Sequence, residues 1–372
     1  MGISAGPIPT APPSPQRSRR FSWRMASACV ALGFAAGSVA PRIFFRLAAS
    51  SPTLLKAYAV RQSSSGLTSP LLECEVMDAR ERERLAPLQR HLTWIVANAA
   101  GQGLILRAGV YFRDLTNGAW FGVNEDLPFA PASLLKVPVM IAWLKQVESD
   151  PTVLARTFAF AAPMSVFTPN FPTVKRLKPG RSYSVVELLE RMIRYSDNDA
   201  LDLLSAALDS ALLHRTYVDL GMILPEVSPL DDFMSARSYA SFFRVLYNAS
   251  YLDRDMSERA LTYLANTDFT QGLAAGVPAE IPVAHKFGER KVEGSEAREL
   301  HDCGIVYEPG RPYLLCVMTR GRDYDQLLSV IRDVSREVFR HVAGAPASPR
   351  PGAWEAANGR NPFRAFFEHA AR

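Results

Sequence analysis

The pattern of apolar and polar residues predicts a domain with strands near both ends and helices in its middle. Apolar residues recur every three or four positions from 79 to 99, which indicates an amphipathic helix. Two apolar stretches, 104–114 and 119–123, flank the turn sequence Thr116-Asn117-Gly118 and predict a β-hairpin. Helical spacing then dominates in five segments, at roughly 133–147, 184–195, 197–219, 235–249 and 256–266.

Strand character returns in the last third of the domain. The segments Val283–Lys291, Cys303–Tyr307 and Tyr313–Thr319 have strand-like composition, and a final helix is predicted over Tyr324–Val342. Strands at both ends that bracket a helical middle are explained most simply by one sheet. The expected fold is therefore α/β (α+β), with an antiparallel sheet from both chain ends, flanking helices and an inserted all-helical lobe.

The excess positive charge of the chain lies in its N-terminal segment. The 372 residues carry a formal net charge of +5, and residues 1–47 contain no aspartate or glutamate. The basic residues of this segment are Arg17, Arg19, Arg20, Arg24, Arg42 and Arg46. Without them the rest of the chain is close to neutral, so its charge does not indicate a nucleic-acid surface and no nucleic-acid partner is expected.

Residues 25–47 are expected to tether the chain to a membrane. The basic, Pro-rich residues 1–24 precede an apolar run from Met25 to Ala40, which favours a cytoplasmic N-terminus. An uncleaved signal anchor is the preferred interpretation, and cleavage after Ser38-Val39-Ala40 is the alternative. The expected location is the cytoplasmic membrane, with the catalytic domain outside it, periplasmic or extracellular, or a secreted protein if the segment is cleaved.

The remaining boundaries follow composition. A Ser-rich linker is expected over 48–80, the globular domain over 81–342 and a Pro- and Ala-rich flexible tail over 343–372.

Outside the membrane the chain would have the cysteines Cys74, Cys303 and Cys316. Cys303 and Cys316 would face each other across a turn at Pro309-Gly310, where a disulfide is geometrically possible. A Cys74–Cys303 bridge and three unpaired cysteines are the alternatives.

The first chemical motif is Ser133-Leu134-Leu135-Lys136. A serine hydroxyl is a poor nucleophile until a base removes its proton. If Ser133 begins a helix, Lys136 lies on the same face, and burial would lower the pKa of its amine toward a useful range. Two common residues at one spacing also occur by chance, in a capped helix with a solvated lysine, so this motif needs support from elsewhere.

Two further motifs follow in the chain. Ser196-Asp197-Asn198 lies between two helical stretches, where it could simply cap a helix. Alternatively it forms part of a site, in which Ser196 is a proton shuttle and Asn198 binds the substrate and Lys136. In that case Asp197 is a structural residue. Lys286-Phe287-Gly288 lies in the predicted strand Val283–Lys291, where glycine lets a substrate approach the backbone closely.

In this order the three motifs resemble those of class A β-lactamases and penicillin-binding proteins, the penicillin-recognising serine hydrolases. The resemblance extends over about residues 81–342. It implies Ser133 as nucleophile, Lys136 as base and Ser196 as proton relay. It also implies substrate binding by Asn198, Lys286, Gly288 and Glu289, with an oxyanion hole formed by the backbone N–H groups of Ser133 and Glu289. A β-lactam, a related amide or ester, or a cell-wall peptide is the implied substrate, acted on by a monomer without a cofactor or metal.

The chain departs from the family pattern at two places. Class A β-lactamases release the acyl-enzyme with a glutamate on a long loop. The corresponding stretch here, Gly221–Ser235, is shorter and lacks the family's Glu-x-x-x-Asn pattern. Its acids, Glu226, Asp231 and Asp232, fit solvated or helix-capping carboxylates better than a deacylation base. Phe287 stands where the family usually has threonine or serine to bind a substrate carboxylate, a loss for which Lys286 or Arg290 could compensate by charge. We therefore expect acylation without efficient β-lactam hydrolysis. A D,D-peptidase or esterase acting on the cell wall, and a penicillin-binding sensor without turnover, are the alternatives.

Overall fold

The computed structural model describes residues 67–68, 79–163, 169–171, 176–221 and 232–344. All of them belong to the compact unit Tyr58–Arg372, and the other unit, Met1–Ala57, lies outside the described residues. The predicted anchor at 25–47 and Cys74 therefore also lie outside them, as does the predicted tail from 345 onward. Within the described part of the chain, no helix combines the length and apolar character needed to cross a membrane.

Strands from both ends of the domain form one antiparallel sheet in the order β2-β1-β7-β6-β5. Its strands are β1 (Arg107–Asp114), β2 (Trp120–Val123), β5 (Val283–Lys291), β6 (Arg298–Val306) and β7 (Tyr313–Gly321). A separate pair, β3 (Thr157–Phe160) and β4 (Arg181–Ser184), was not predicted from the sequence. The pairing of β1 with β7 joins the two ends of the domain, and β5 is left at the edge of the sheet, where it borders the site described below.

Helices cover both faces of the sheet. They are α1 (Ala79–Gly101), α2 (Lys136–Ser149), α3 (Val185–Arg194), α4 (Asn198–Ala207), α5 (Ser210–Asp219), α6 (Ala236–Tyr247), α7 (Arg254–Ala265) and α8 (Tyr324–Gly344). Because side chains alternate along a strand, each face has its own apolar core. Phe112 and Val317 pack with α1 and α8, whereas Tyr111 and Met318 pack with the helices of the middle of the chain. The α/β sandwich and the helical lobe that were predicted are both present.

Several predicted boundaries differ from the structure. The helix predicted over 197–219 is divided into α4 and α5, because the Asp209 side chain accepts a hydrogen bond from the Ala211 backbone N–H (2.9 Å) and begins a new helix. Ser133 does not begin an α-helix. It lies in the 3₁₀ turn Ala132–Leu135, and α2 begins at Lys136. Helices α1 and α8 extend slightly beyond the predicted domain limits of 81 and 342.

Cys303 and Cys316 form a disulfide between β6 and β7. The two residues are direct cross-strand partners, 3.9 Å apart at Cα, and both are completely buried. The chain reverses at Pro309-Gly310, where the Arg311 N–H donates to the Glu308 carbonyl (2.9 Å) and Gly310 has a φ of 74°. The predicted turn and the cross-strand pairing are thus both correct, and the alternative Cys74–Cys303 bridge is wrong.

Candidate active site

Ser133 lies half-buried in a short turn that the backbone holds in an uncommon conformation. The preceding residue, Ala132, has a φ of 49°, in the left-handed region that residues other than glycine rarely adopt. Such conformations persist only where surrounding contacts impose them, and they concentrate at functional sites.

Two buried side chains hold the ends of this turn. The Tyr239 hydroxyl donates to the Leu134 carbonyl (3.0 Å), and His301 Nε2 lies 3.0 Å from the Ala130 carbonyl. A carbonyl oxygen only accepts, so Nε2 carries the hydrogen, and burial lowers the pKa of His301 to about 4, which keeps the ring neutral. Sequence reasoning did not find these two residues, because each contacts a partner more than a hundred positions away.

Lys136 is buried and lies within hydrogen-bonding distance of Ser133. Its Nζ is 3.1 Å from Ser133 Oγ and 3.1 Å from Ser196 Oγ, with shorter contacts to Asn198 Oδ1 (2.6 Å) and the Ser196 carbonyl (2.7 Å). A neutral amine has two N–H donors and one lone pair. If the two shortest contacts take both hydrogens, the lone pair is left to accept the proton of Ser133.

Burial lowers the pKa of Lys136 from its ordinary value of 10.5 to about 7. The negative charges of Asp197, Asp202 and Glu289 oppose this effect, but the loss of hydration is larger. A lysine with this pKa is largely neutral at slightly alkaline pH, which is the form that can act as a general base. Asp202, one turn beyond Asn198 on α4, was not singled out from the sequence, although this i, i+4 spacing was a usable signal.

Ser196 lies between the two lysines of the site. Its Oγ is 3.1 Å from Lys136 Nζ and 2.9 Å from Lys286 Nζ, and its φ is 53°, again in the left-handed region. The next residue, Asp197, caps α4 by accepting a hydrogen bond from the Ala200 N–H (3.2 Å). Asp197 therefore has the structural role expected of it, while Ser196 is placed between two amines as a proton relay would be.

Lys286 is completely buried on β5, with its amine directed at Ser196 Oγ and the Phe287 carbonyl (2.8 Å). Burial and the nearby charge of Lys136 hold the pKa of Lys286 well below its ordinary value. A Cβ atom at Gly288 would lie 2.9 Å from the Pro131 carbonyl, so only glycine allows β5 to pass this close to the Ser133 turn. Because the two backbone segments lie side by side, their residues Ser133 and Glu289, the two predicted oxyanion donors, lie on neighbouring segments.

Arg290 is one of the two residues that could compensate for Phe287 by charge, and Lys286 is the other. Arg290 forms an ion pair with the buried carboxylate of Glu299 (3.2 Å). The Phe287 ring is buried against Phe269, with ring centroids 3.9 Å apart, and lies 4.3 Å from Lys286 Nζ. An aromatic cluster therefore occupies the position at which the resembled enzymes usually have a threonine or serine hydroxyl.

Of the three acids in the stretch Gly221–Ser235, only Asp232 is among the described residues. Glu226 and Asp231 lie outside them. Asp232 is bound by Arg107 (2.5 Å) and Arg320 (2.5 Å). Partial burial would raise the pKa of Asp232, but these two arginines outweigh it and hold the pKa below its ordinary value. Asp232 is therefore an ion-pair partner, and this argues against a role as a deacylation base. Among the described residues no cluster of three potential metal ligands occurs.

Comparisons with known proteins agree with this geometry. The sequence model of the beta-lactamase enzyme family matches residues 87–342. Among solved structures, a mutant of PBP-A captured as an acyl-enzyme with penicillin G is 25% identical, with a TM-score of 0.59, and the alignment covers 70% of this chain and 98% of that one. A class A β-lactamase from Mycobacterium abscessus is 24% identical, with a TM-score of 0.58 and coverages of 68% and 100%. A search of curated proteins found no significant match.

Proposed function

Since the chain belongs to the beta-lactamase enzyme family, we propose that it is an exported serine hydrolase that forms an acyl-enzyme on Ser133. The observation that carries this proposal is the contact of Lys136 Nζ with Ser133 Oγ at 3.1 Å, together with a pKa of about 7 for that lysine. A base at hydrogen-bonding distance from a hydroxyl, and neutral near physiological pH, is what activation of a serine requires.

The proposed acylation transfers one acyl group and one proton. Lys136 takes the proton of Ser133 Oγ as that oxygen bonds to the substrate carbonyl carbon. The bond to the leaving amine or alcohol then breaks, and Ser196 Oγ passes a proton from Lys136 to it. The N–H groups of Ser133 and Glu289 stabilise the oxyanion in between. Hydrolysis adds one water to the ester and restores Ser133.

The proposed substrates are β-lactams or related amides and esters. A mutant of PBP-A, 25% identical to this chain, has been captured as an acyl-enzyme with penicillin G, which supports acylation of this chain by a penicillin. The engagement of Asp232 by two arginines supports slow release of the acyl group. A D,D-peptidase or esterase acting on cell-wall peptides is a second candidate, and a penicillin-binding sensor without turnover is a third.

The proposed setting is a monomer outside the cytoplasm, held at the membrane by residues 25–47 or secreted after their removal. The Cys303–Cys316 disulfide supports an oxidising compartment, because protein disulfides form and persist mainly in such compartments.

The test is labelling of the full chain with a fluorescent penicillin, followed by mass spectrometry of the peptide that contains Ser133. We expect a covalent label on Ser133 that is absent in Ser133→Ala. Ser205→Ala is the matched control, because Ser205 is an exposed serine on α4 and its variant should label normally.

Turnover separates the three candidates. Release of product from a chromogenic cephalosporin supports a β-lactamase, and release from an ester or peptide with no cephalosporin turnover supports a peptidase or esterase. A label that persists without turnover of any substrate supports the sensor. A folded wild-type chain that neither a penicillin nor an activated ester labels would refute acyl-enzyme formation.

A further inference from the structure

The Cys303–Cys316 disulfide lies in the same row of the sheet as Lys286. Lys286 on β5 is the direct cross-strand partner of Cys303 on β6, and Cys303 is the partner of Cys316 on β7. The row continues to Tyr111 on β1, the partner of Cys316. Residues directly opposite each other point to the same face of a sheet, with Cβ atoms roughly 5 Å apart. The disulfide therefore lies on the face that carries the Lys286 side chain.

That face is the one covered by the helices of the middle of the chain. Tyr111, Cys303 and Cys316 belong to its apolar core, and Lys286 and both cysteines are completely buried. Side chains in a close-packed interior are held in place by the atoms around them. The neighbours of the Lys286 stem therefore decide where its amine lies.

Cys303 is the side chain directly beside the Lys286 stem within the sheet. The residues two positions away on β5, which point to the same face, are Ala284 and Gly288. One has only a methyl group and the other has no side chain, and β5 is an edge strand, so lateral packing within the sheet comes from β6. The Cys303 sulfur is bonded to Cys316 and cannot turn to another rotamer. It is therefore a rigid wall beside a side chain that is flexible by itself.

The Lys286 amine has to be placed accurately for the proposed proton relay. Its Nζ lies 2.9 Å from Ser196 Oγ and 2.8 Å from the Phe287 carbonyl. A shift of the amine by about 1 Å would take both contacts out of hydrogen-bonding distance. A misplacement of this size can slow an enzymatic reaction by about 100-fold.

We propose that Cys303, fixed by its bond to Cys316, is a positioning residue for acyl transfer, because it is the wall that keeps the Lys286 amine at Ser196. This inference rests on the proposed acyl-transfer function of the same site. It gives the disulfide a role in the reaction that is separate from its contribution to stability.

The test compares two double variants of the full chain, Cys303→Val/Cys316→Ala and Cys303→Ala/Cys316→Val. Both lose the bridge, and both have the same composition. Only the first keeps a bulky apolar group opposite Lys286. We expect Ser133 to be labelled by a fluorescent penicillin within about threefold of the wild-type rate in the first variant and about 10- to 100-fold more slowly in the second.

Two controls separate this effect from lost stability. Val317→Ala removes packing next to Cys316 on β7, but Val317 is buried in the core on the opposite face, so this variant should lose stability and label at the wild-type rate. The single variants Cys303→Ala and Cys316→Ala are a milder pair, since both lose the bridge and only the first loses the wall. Circular dichroism and melting temperatures establish that each variant is folded. Equal labelling rates within either pair, or equal slowing by Val317→Ala, would overturn the proposal.

Chemical modification of lysines gives a second readout that needs no substrate. An acetylating N-hydroxysuccinimide ester, followed by peptide mass spectrometry, should leave the buried Lys286 unmodified in wild type and in Cys303→Val/Cys316→Ala. We expect modification of Lys286 in Cys303→Ala/Cys316→Val. Lys291, exposed at the end of β5, should be modified in all three proteins.

Equal modification of Lys286 in the two double variants would overturn the positioning role. Failure of the proposed acyl-enzyme function would appear instead as absence of a label on Ser133 in wild type, with the lysine modification still in the expected order. The two failures are therefore distinguishable.

Discussion

Replacing Asn198 by aspartate places a negative charge beside the amine of Lys136. Asn198 Oδ1 is 2.6 Å from Lys136 Nζ, and aspartate has nearly the same shape as asparagine, so the main change is electrostatic. An opposite charge at this distance favours the protonated amine and raises its pKa. The base would then be blocked at neutral pH although every other group of the site remains.

The expected magnitude follows from the ionisation of Lys136. With a pKa of about 7, roughly half of the amine is neutral at pH 7, against less than about a thousandth for an ordinary lysine. A close opposite charge typically raises a pKa by about 1 to 3, which would move Lys136 into the range of roughly 8 to 10. The acylation rate at pH 7 should therefore fall about 5- to 500-fold and recover as the pH approaches 10.

The assay is the rate of Ser133 labelling by a fluorescent penicillin between pH 5 and 10. The wild-type rate should rise with pH through about 7, because the neutral amine is the active form. In Asn198→Asp the rise should move to higher pH, whereas Asp202→Asn, which removes a negative charge, should move it to lower pH. Asn198→Ala should lower the rate without moving the rise upward. A rise in Asn198→Asp at the wild-type pH would refute Lys136 as the titrating base.

Three further outcomes test the supporting structure. Gly288→Ala should slow acylation about 100-fold and also lower the melting temperature, because the new Cβ meets the Pro131 carbonyl and displaces an oxyanion donor; a normal rate in labelling kinetics would contradict this. Asp232→Asn should lower the unfolding free energy by about 1 kcal/mol without lengthening the lifetime of the label. The folded-state pKa of Asp232 is depressed, so this loss of stability should be measurable by urea unfolding at any pH above the ordinary aspartate pKa. It should disappear as the pH falls through the folded-state pKa. A longer-lived label in Asp232→Asn would indicate that Asp232 is a deacylation base. Replacing Cys303 and Cys316 by alanine should cost about 3 kcal/mol by urea unfolding, and equal stability under non-reducing conditions would contradict a bridge.

Most elements of the fold could be predicted from the sequence, because hydrophobic periodicity and turn residues act locally. The strand Val283–Lys291 has the predicted limits, and the Pro309-Gly310 turn places Cys303 opposite Cys316. The break between α4 and α5 was missed although Asp209 is a local capping signal, since the apolar pattern continues across it. The order of three short motifs was also enough to predict the family, which the match over 87–342 confirms.

Only the tertiary structure decided the protonation states and the neighbours of the side chains in the candidate site. The pKa of Lys136 depends on complete removal from water, and no spacing in the chain encodes that burial. Arg290 and Asp232 looked available in the sequence, but Glu299 on the neighbouring strand pairs with Arg290, and the distant Arg107 and Arg320 pair with Asp232. Glu289 contacts Asn170 across 119 positions, and such pairings arise only when the chain has folded. Sequence therefore determined which groups could react, and packing determined which of them are charged, paired or free.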